Sequence, residues 1–236
     1  DAILATNTSA IPLEDIAAAL NDPSRLIGLH FFNPVPVLPL VEVIWSTYSN
    51  EDAVIKGMQF AGQMEKMPIK CKSSPGFVVN RALIPYINAG LEMMLEGGDA
   101  DKIDQALVEF GMPMGPIELA DQIGLDVMYD ASGPLGMPAI VEKKLKEMVA
   151  AGTIGRKSGS GFYPWVEMKA DRPRNTYDPK ELAEIAAILL APMVRECQAA
   201  VDEATVESAD HADAAMIFGV GYPAFRGGPL FHQRQH

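Results

Sequence analysis

The chain has 236 residues, a formal net charge of −12 and 48% hydrophobic residues. These values are typical of a globular protein with one large or two small domains. The acidic balance argues against binding nucleic acid or an anionic membrane surface through bulk electrostatics. The two cysteines, Cys71 and Cys197, form no disulfide framework and indicate a reducing compartment. The histidines are scattered and none has zinc spacing with a cysteine, so no metal site is predicted.

Strand and helix patterns alternate over the first 72 residues. Short apolar runs predict buried strands, and apolar residues at helical spacing predict the helices between them. The strands are predicted at 2–9, 25–32, 40–46 and 67–72, and the helices at 12–24 and 51–66. This alternation predicts an α/β domain from residue 1 to about residue 72.

Helical patterns dominate the rest of the chain. We predict an all-α domain at 73–166, a polar, proline-containing linker at 167–180 and a further helical segment at 181–236. The longest apolar stretch, 27–45, contains three prolines and charged residues, which excludes a membrane-spanning helix. No signal peptide is visible, and the chain begins without methionine, so we expect a piece of a longer protein.

The two helical segments share a weak internal repeat. A proline, an aspartate, a second proline and a Gly-Pro pair recur in the same order at offsets of about 110 residues. The first set is Pro85, Asp104, Pro113 and Gly115-Pro116, and the second is Pro192, Asp213, Pro223 and Gly228-Pro229. The order and the helical setting favour duplication of one helical unit.

His30 and Glu42 are ionisable residues inside the apolar stretch that spans two predicted strands. A histidine at a strand end is well placed to act on a ligand, because ligands of open α/β sheets bind beyond the carboxyl ends of strands. If the two strands are neighbours, the carboxylate can fix the imidazole tautomer and stabilise the imidazolium formed on taking a proton. The alternative is a satisfied core histidine with an unrelated glutamate, and spacing alone slightly favours this alternative, because histidines at strand ends are common.

Two other polar segments lie next to predicted element ends. The sequence NTS, residues 7–9, offers small polar side chains that either contact a substrate or cap the next helix, and capping is the commoner case. Asn80 lies one turn inside the helix that follows Pro75-Gly76, where it could orient a carbonyl or make an interdomain hydrogen bond. The glycine-rich segment 155–163 has neither P-loop nor dinucleotide-binding spacing, and no G-x-G-x-x-G occurs in the chain.

Taken together, these segments resemble the L-3-hydroxyacyl-CoA dehydrogenase family. The similar segments are NTSAI, GLHFFNPVPVLPLVEVI, SPGFVVNR, MPMGPIELAD with GLD, and GRKSGSGFY. The resemblance implies the second half of a Rossmann-type NAD-binding domain at 1–72, followed by the family's C-terminal helical domain. The tail, with GYPAFRGGPL, resembles the second, here truncated, helical repeat of the long multifunctional fatty-acid oxidation proteins.

The resemblance also assigns roles to individual residues. His30 corresponds to the base that removes the 3-hydroxyl proton, and Glu42 to its carboxylate partner. Ser9 and Asn80 correspond to substrate-binding residues.

Cofactor binding and partners follow from the same resemblance. Asn33 and Lys157 correspond to positions that contact NAD, the implied cofactor. The implied partners are an acyl-CoA substrate, an upstream enoyl-CoA hydratase domain and a thiolase subunit, with a homodimer as a further possibility. The implied compartment is the bacterial cytoplasm, or the mitochondrial matrix or peroxisome in a eukaryote.

Three functional hypotheses stay open from the sequence. The first is an NAD-dependent 3-hydroxyacyl-CoA dehydrogenase within a multifunctional β-oxidation protein. The second is a binding or assembly module, since the glycine fingerprint for the nucleotide is missing from these 236 residues. The third is a short-chain 3-hydroxybutyryl-CoA dehydrogenase, which the tail disfavours.

Overall fold

A computed structural model describes residues 2–9, 11–131 and 135–235 of the chain. The chain divides into two compact units. The first contains the residues up to Ala82 together with those from Val194 onward, and the second contains Leu83–Met193. No helix in the described ranges is long and apolar enough to cross a membrane.

A four-stranded mixed sheet forms the centre of the first unit. Its strands, in spatial order, are β1 (Leu4–Thr6), β2 (Leu26–Phe31), β3 (Leu40–Trp45) and β4 (Met67–Lys72). β1 and β2 are parallel, β2 and β3 antiparallel, and β3 and β4 parallel. β2 and β3 are almost wholly buried, as the apolar runs predict. β1 is shorter and more exposed than predicted, because it pairs with a strand on one side only among the described residues.

Two helices accompany this sheet, α1 (Leu13–Ala17) and α2 (Glu51–Gln63). Asn50 caps α2, since its Oδ1 accepts a hydrogen bond from the backbone N–H of Ala53 at 2.7 Å. The apolar face of α2 packs on β2 and β3 in a core cluster of Ile27, Leu29, Val41, Val43, Ala53, Val54 and Ala61. Burial of this apolar face stabilises the unit.

Helices make up most of the remaining chain, in agreement with the predicted helical character. They are α3 (Val79–Leu95), α4 (Ala100–Phe110), α5 (Pro116–Ile123), α6 (Leu125–Ala131), α7 (Ala139–Ala150), α8 (Pro179–Asp202), α9 (Ala209–Val220) and α10 (Pro229–Gln235). A small hairpin, β5 (Trp165–Val166) with β6 (Lys169–Ala170), precedes α8. The boundary between the two units falls within α3 and within α8.

The segment predicted as a linker is bound to the helices of the second unit. Arg172 is buried, and its guanidinium donates to Asp101 at 3.2 Å and to Glu118 at 2.7 Å. The backbone N–H of Asn175 also donates to Asp101, at 2.9 Å. These bonds tie the segment to α4 and α5.

The predicted internal repeat has a common hydrogen-bonding pattern. In each set the buried aspartate accepts two backbone N–H bonds from the start of the helix that follows the Gly-Pro pair. Asp104 accepts from Ile117 at 2.9 Å and Glu118 at 3.0 Å. Asp213 accepts from Leu230 at 2.7 Å and Phe231 at 2.9 Å. We call this arrangement the aspartate clamp.

Candidate active site

His30 on β2 and Glu42 on β3 are direct partners in the antiparallel register of the two strands. Opposite residues on one face of an antiparallel pair bring their side chains together. His30 Nδ1 lies 2.6 Å from Glu42 Oε2, and both side chains are buried. The predicted proximity of the two residues is therefore confirmed.

The Glu42 carboxylate is completely enclosed, with none of its surface exposed. Its second oxygen, Oε1, accepts hydrogen bonds from the backbone N–H groups of Val78 and Val79, both at 3.0 Å. These groups lie at the start of α3, where N–H donors have no partner within the helix and the helix dipole favours negative charge. Three donors thus compensate the cost of burying the carboxylate.

This arrangement sets the tautomer of His30. With the carboxylate accepting from Nδ1–H, the lone pair of the neutral ring lies on Nε2. Among the described residues no hydrogen bond engages Nε2. The ring is flanked by Phe32 and Phe77, with centroid distances of 4.5 and 5.6 Å. A buried imidazole with a free Nε2 and a carboxylate behind it has the properties of a general base.

A tight turn before α3 directs the two N–H groups at Glu42. Gly76 and Phe77 both have positive φ, 71° and 54°, and both residues are buried. Ser74 Oγ donates to the carbonyl of Phe77 at 3.3 Å, and this bond stabilises the turn. A side chain is uncommon in the left-handed region, so Phe77 is a strained position next to the candidate base. Sequence reasoning missed this role, although the Pro-Gly pair directly before a helix is a signal for it.

Asn80 and Ser9 come together in the first unit. The Asn80 Nδ2 group donates to the backbone carbonyl of Ser9 at 3.4 Å, and Ser9 is exposed. Asn7 Oδ1 accepts from the backbone N–H of Phe31 at 3.1 Å, which joins the loop after β1 to the end of β2. Thr8 Oγ1 accepts from the backbone N–H of Ile11 at 2.8 Å, a bond within the loop. The predicted capping of the next helix is wrong, because the N-cap residue of α1 is Pro12, with no side-chain cap hydrogen bond.

Asn33 and Lys157 are described in different units. Asn33 is exposed in the turn that follows β2, three residues beyond His30. Lys157 lies in a short 3₁₀ turn of the second unit, where its ammonium group pairs with Asp126 at 2.5 Å. The described ranges contain no group of three or more His, Cys, Asp or Glu side chains that could hold a metal ion.

Comparison with models of protein families tests the resemblance to 3-hydroxyacyl-CoA dehydrogenases. The model of the NAD binding domain of 3-hydroxyacyl-CoA dehydrogenase matches residues 1–74, and the model of its C-terminal domain matches residues 76–165. The chain belongs to the 3-hydroxyacyl-CoA dehydrogenase family. His30 and Glu42 lie in the part that matches the NAD binding domain, and Asn80 lies in the part that matches the C-terminal domain.

Individual relatives of this 3-hydroxyacyl-CoA dehydrogenase chain extend the similarity beyond residue 165. Fatty acid oxidation complex subunit alpha of Colwellia psychrerythraea is 36% identical over 98% of this chain and 35% of that protein. The 3-hydroxybutyryl-CoA dehydrogenase of Escherichia coli K12 is 26% identical, with a TM-score of 0.79 over 99% of this chain and 68% of that one. The dehydrogenase part of multifunctional enzyme 1 from C. elegans is 30% identical, with a TM-score of 0.62 over 94% of this chain and 54% of that one.

The alignments cover nearly all of this member of the 3-hydroxyacyl-CoA dehydrogenase family but only part of each relative. The chain spans about a third of the length of the curated relatives it matches. The alignments with the Escherichia coli and C. elegans structures both include residues of the tail, because each covers well over nine-tenths of the chain. The tail alone therefore does not separate a multifunctional protein from a 3-hydroxybutyryl-CoA dehydrogenase.

Proposed function

We propose that this chain provides the proton-transfer site of an NAD-dependent L-3-hydroxyacyl-CoA dehydrogenase, which oxidises its substrate to 3-ketoacyl-CoA in fatty-acid β-oxidation. The observation that carries the proposal is the buried His30–Glu42 pair at 2.6 Å, within a chain that matches both domains of the family. A base with a fixed tautomer is what removal of a hydroxyl proton requires.

The residues act in the following way. His30 Nε2 accepts the proton of the substrate 3-hydroxyl group, and the imidazolium that forms is stabilised by the Glu42 carboxylate on Nδ1. Glu42 keeps its position because Val78 and Val79 hold its other oxygen. The amide of Asn80 and the hydroxyl of Ser9 orient the oxygens of the substrate around the reacting carbon. A bound NAD would supply the hydride acceptor for C3, while the residues of this chain handle the proton.

NAD binding draws on few residues of this chain. The exposed amide of Asn33, next to the end of β2, offers a donor and an acceptor that suit a nicotinamide nucleotide. Lys157 supplies a cation that is paired with Asp126 in the structure. The glycine-rich turn that cradles a pyrophosphate is absent from the 236 residues. We propose that this chain holds the nicotinamide side of the cofactor, with 1–72 as the C-terminal part of the NAD-binding domain.

The larger assembly is also part of the proposal. The similarity to a fatty acid oxidation complex subunit over 98% of the chain supports a role within a larger complex. We propose, from the family resemblance, that the protein also carries an enoyl-CoA hydratase domain and has a thiolase partner. We further propose helical domains at 73–166 and 181–236, joined by the segment 167–180. The free, buried thiols of Cys71 and Cys197 are consistent with a reducing compartment such as the bacterial cytoplasm. A 3-hydroxybutyryl-CoA dehydrogenase is the second candidate, supported by the Escherichia coli structure.

Substitution of His30 tests the proposed chemistry. In the complete protein that carries this chain, His30→Gln should lower kcat for NADH formation from an L-3-hydroxyacyl-CoA by about 10²–10⁴-fold, the usual contribution of a general base. His211→Gln is the matched control, because this exposed histidine bonds within its own helix turn, to Ser208 at 2.9 Å. If kcat of His30→Gln stays within a few-fold of the wild type, the assignment is wrong. Comparing C4 with C16 acyl substrates separates the two candidate classes.

A further inference from the structure

The tail of the chain, residues 194–236, packs against the same elements that hold Glu42. We propose that this tail positions the His30–Glu42 pair, and that Arg81 and Gly219 are positioning residues of the site. The expected effect on kcat rests on the proposed function, whereas the expected effect on the position of Glu42 rests on geometry alone. Three separate contacts within the first unit carry it.

The first contact fixes the start of α3. Arg81 lies two residues after Val79, one of the two N–H donors to Glu42. Its Nε donates to Glu196 at 3.0 Å, and its two terminal nitrogens donate to Glu203 at 2.7 and 2.9 Å. Such a bidentate pair restrains a guanidinium in position and orientation. The first turn of α3 is thereby attached to the last turns of α8.

The second contact fixes the sheet. The backbone N–H of Lys72, at the end of β4, donates to the carbonyl of Thr205 at 2.8 Å, and Cys71 forms an isolated β-bridge with Val206. β4 pairs in parallel with β3, and in that register Ile69 is the partner of Glu42. The tail therefore closes the side of β4 that faces away from β3 with an additional backbone hydrogen bond.

The third contact joins both elements through one residue of α9. A Cβ atom on Gly219 would lie 2.8 Å from Leu40 Cδ2 and 3.2 Å from Val79 Cγ2. Leu40 is the first residue of β3 and Val79 the first residue of α3. The backbone of α9 thus touches the strand that carries Glu42 and the residue that donates to it. Only glycine allows this approach without displacing a neighbour.

These contacts have a functional consequence because a base must be held within a fraction of an ångström of its productive position. If the start of α3 shifts, the donors at Val78 and Val79 separate from Glu42 Oε1. The carboxylate then loses its fixed orientation toward His30. A tail that only stabilised the fold would change the melting temperature but not this hydrogen bond.

The experiment compares Arg81→Gln, Glu203→Gln and Gly219→Ala with the wild type, using two readouts. The first is the ¹H–¹⁵N spectrum of the ¹⁵N-histidine-labelled chain, in which His30 Nδ1–H bonded to a carboxylate gives a deshielded, slowly exchanging signal. The second is kcat and KM in the complete protein. We expect the signal to weaken or disappear and kcat to fall roughly 10–100-fold, the cost of a small misplacement. Arg81→Lys should restore part of both.

Lys102→Gln is the control, since it removes an ion pair of similar length, 2.6 Å to Glu181, in the second unit. Thermal melts of all variants identify any that fail to fold, and the exposed Glu203 makes its variant the one least prone to do so. An unchanged His30 signal with unchanged kcat in folded variants overturns the proposal. A changed signal in a protein whose wild type has no dehydrogenase activity would refute the proposed function and leave the positioning role supported.

Discussion

The buried carboxylate of Glu42 has a hydrogen-bond partner at each of its oxygens. An isolated carboxylate removed from water is strongly destabilising, and a buried one persists only when its oxygens are satisfied. Here one oxygen is held by two helix N–H groups at 3.0 Å and the other by His30 at 2.6 Å. Because each oxygen has a defined partner, the carboxylate can present only Oε2 to the imidazole. The geometry therefore fixes the orientation of the candidate base.

Glu42→Gln tests this orienting role at the level of one residue. The amide oxygen can keep both bonds from Val78 and Val79, which turns the NH₂ group toward His30 Nδ1. His30 must then accept on Nδ1 and carry its proton on Nε2, where it no longer acts as a base. We expect kcat to fall by about 10²–10⁴-fold, as for loss of a general base, with KM for the acyl-CoA little changed. A kcat reduced less than about tenfold in a folded variant would contradict the tautomer argument.

The sequence predicts the pair more readily than it predicts the groups around it. His30 and Glu42 are identifiable because their side chains are conspicuous in an apolar stretch and a short turn joins the two strands. The donors to Glu42 are backbone groups of Val78 and Val79, and nothing in the identity of a valine indicates that its N–H binds a carboxylate. Asn33 and Lys157 come from the family resemblance, and the contact of Lys157 with Asp126 has no sequence signal.

At the scale of elements, the aspartate clamp explains why the internal repeat keeps its glycines. A Cβ atom on Gly115 would overlap Asp104, and one on Gly228 would overlap Asp213. The glycine lets the following helix start close enough for its N–H groups to reach the carboxylate. In each set the proline after the glycine occupies the first helical position, where a missing N–H costs nothing. Both copies of the repeat thus join two helices at a buried carboxylate in the same way.

Gly115→Ala tests the steric part of the clamp. Gly115 has φ −82°, a conformation open to any residue, so the effect of the substitution is overlap with Asp104 rather than backbone strain. We expect a loss of about 1–3 kcal/mol in the free energy of unfolding, typical of overpacking. Gly62→Ala is the control, because its Cβ would meet nothing within 4 Å in α2. It should stabilise by up to about 1 kcal/mol. Urea unfolding followed by circular dichroism measures both, and equal effects would refute the steric explanation.

Titration of Asp104, the buried aspartate of the first clamp, should make the free energy of unfolding depend on pH. Burial raises the pKa of Asp104 to about 6, more than the N–H groups of Ile117 and Glu118 and the charge of Arg172 lower it. A raised carboxyl pKa means that the folded state binds the proton more readily than the unfolded state. The contribution of Asp104 is therefore largest below its unfolded pKa near 3.8 and is lost as the pH rises through about 6.

Asp104→Asn isolates this contribution. Relative to Asp104→Asn, the wild type should gain stability as the pH falls from about 7.5 to about 4.5, by about 2 kcal/mol, since one pKa unit is worth about 1.4 kcal/mol. The measurement is the difference in unfolding free energy between the two proteins at each pH, which cancels the carboxylates common to both. A difference that stays constant, or that shrinks on acidification, would contradict the raised pKa.

The predicted elements agree with the structure where a strong local pattern exists. The apolar runs of β2 and β3 and the helical spacing of α2 determine those elements, because each buries a continuous face. The predicted length and burial of β1 were wrong. Both depend on which strands flank β1, and its own residues do not specify those neighbours. The anchoring of the segment 167–180 by Arg172 also depends on distant partners on α4 and α5.

At the scale of the whole molecule, the parts of a dehydrogenase site are unevenly represented in this chain. The described residues contain the candidate base, its carboxylate and the helix start that holds the carboxylate. The chain matches the family's NAD binding domain over residues 1–74, yet it contains no G-x-G-x-x-G turn. In Rossmann folds that turn and the following helix N-terminus bind the pyrophosphate, which carries the charge of the cofactor. We therefore expect proton transfer and cofactor affinity to be separable properties.

This separation gives a prediction for the 236-residue chain by itself. Isothermal titration calorimetry should detect no NAD binding at micromolar to submillimolar concentrations, because the groups that bind the pyrophosphate are missing and the net charge of −12 opposes an anionic ligand. The complete protein, measured alongside, should bind NAD in the micromolar range typical of substrate-level affinities. A ¹H–¹⁵N spectrum of the same sample checks that the isolated chain is folded, since a folded chain should retain the His30–Glu42 signal. Micromolar binding by the isolated chain would contradict this prediction.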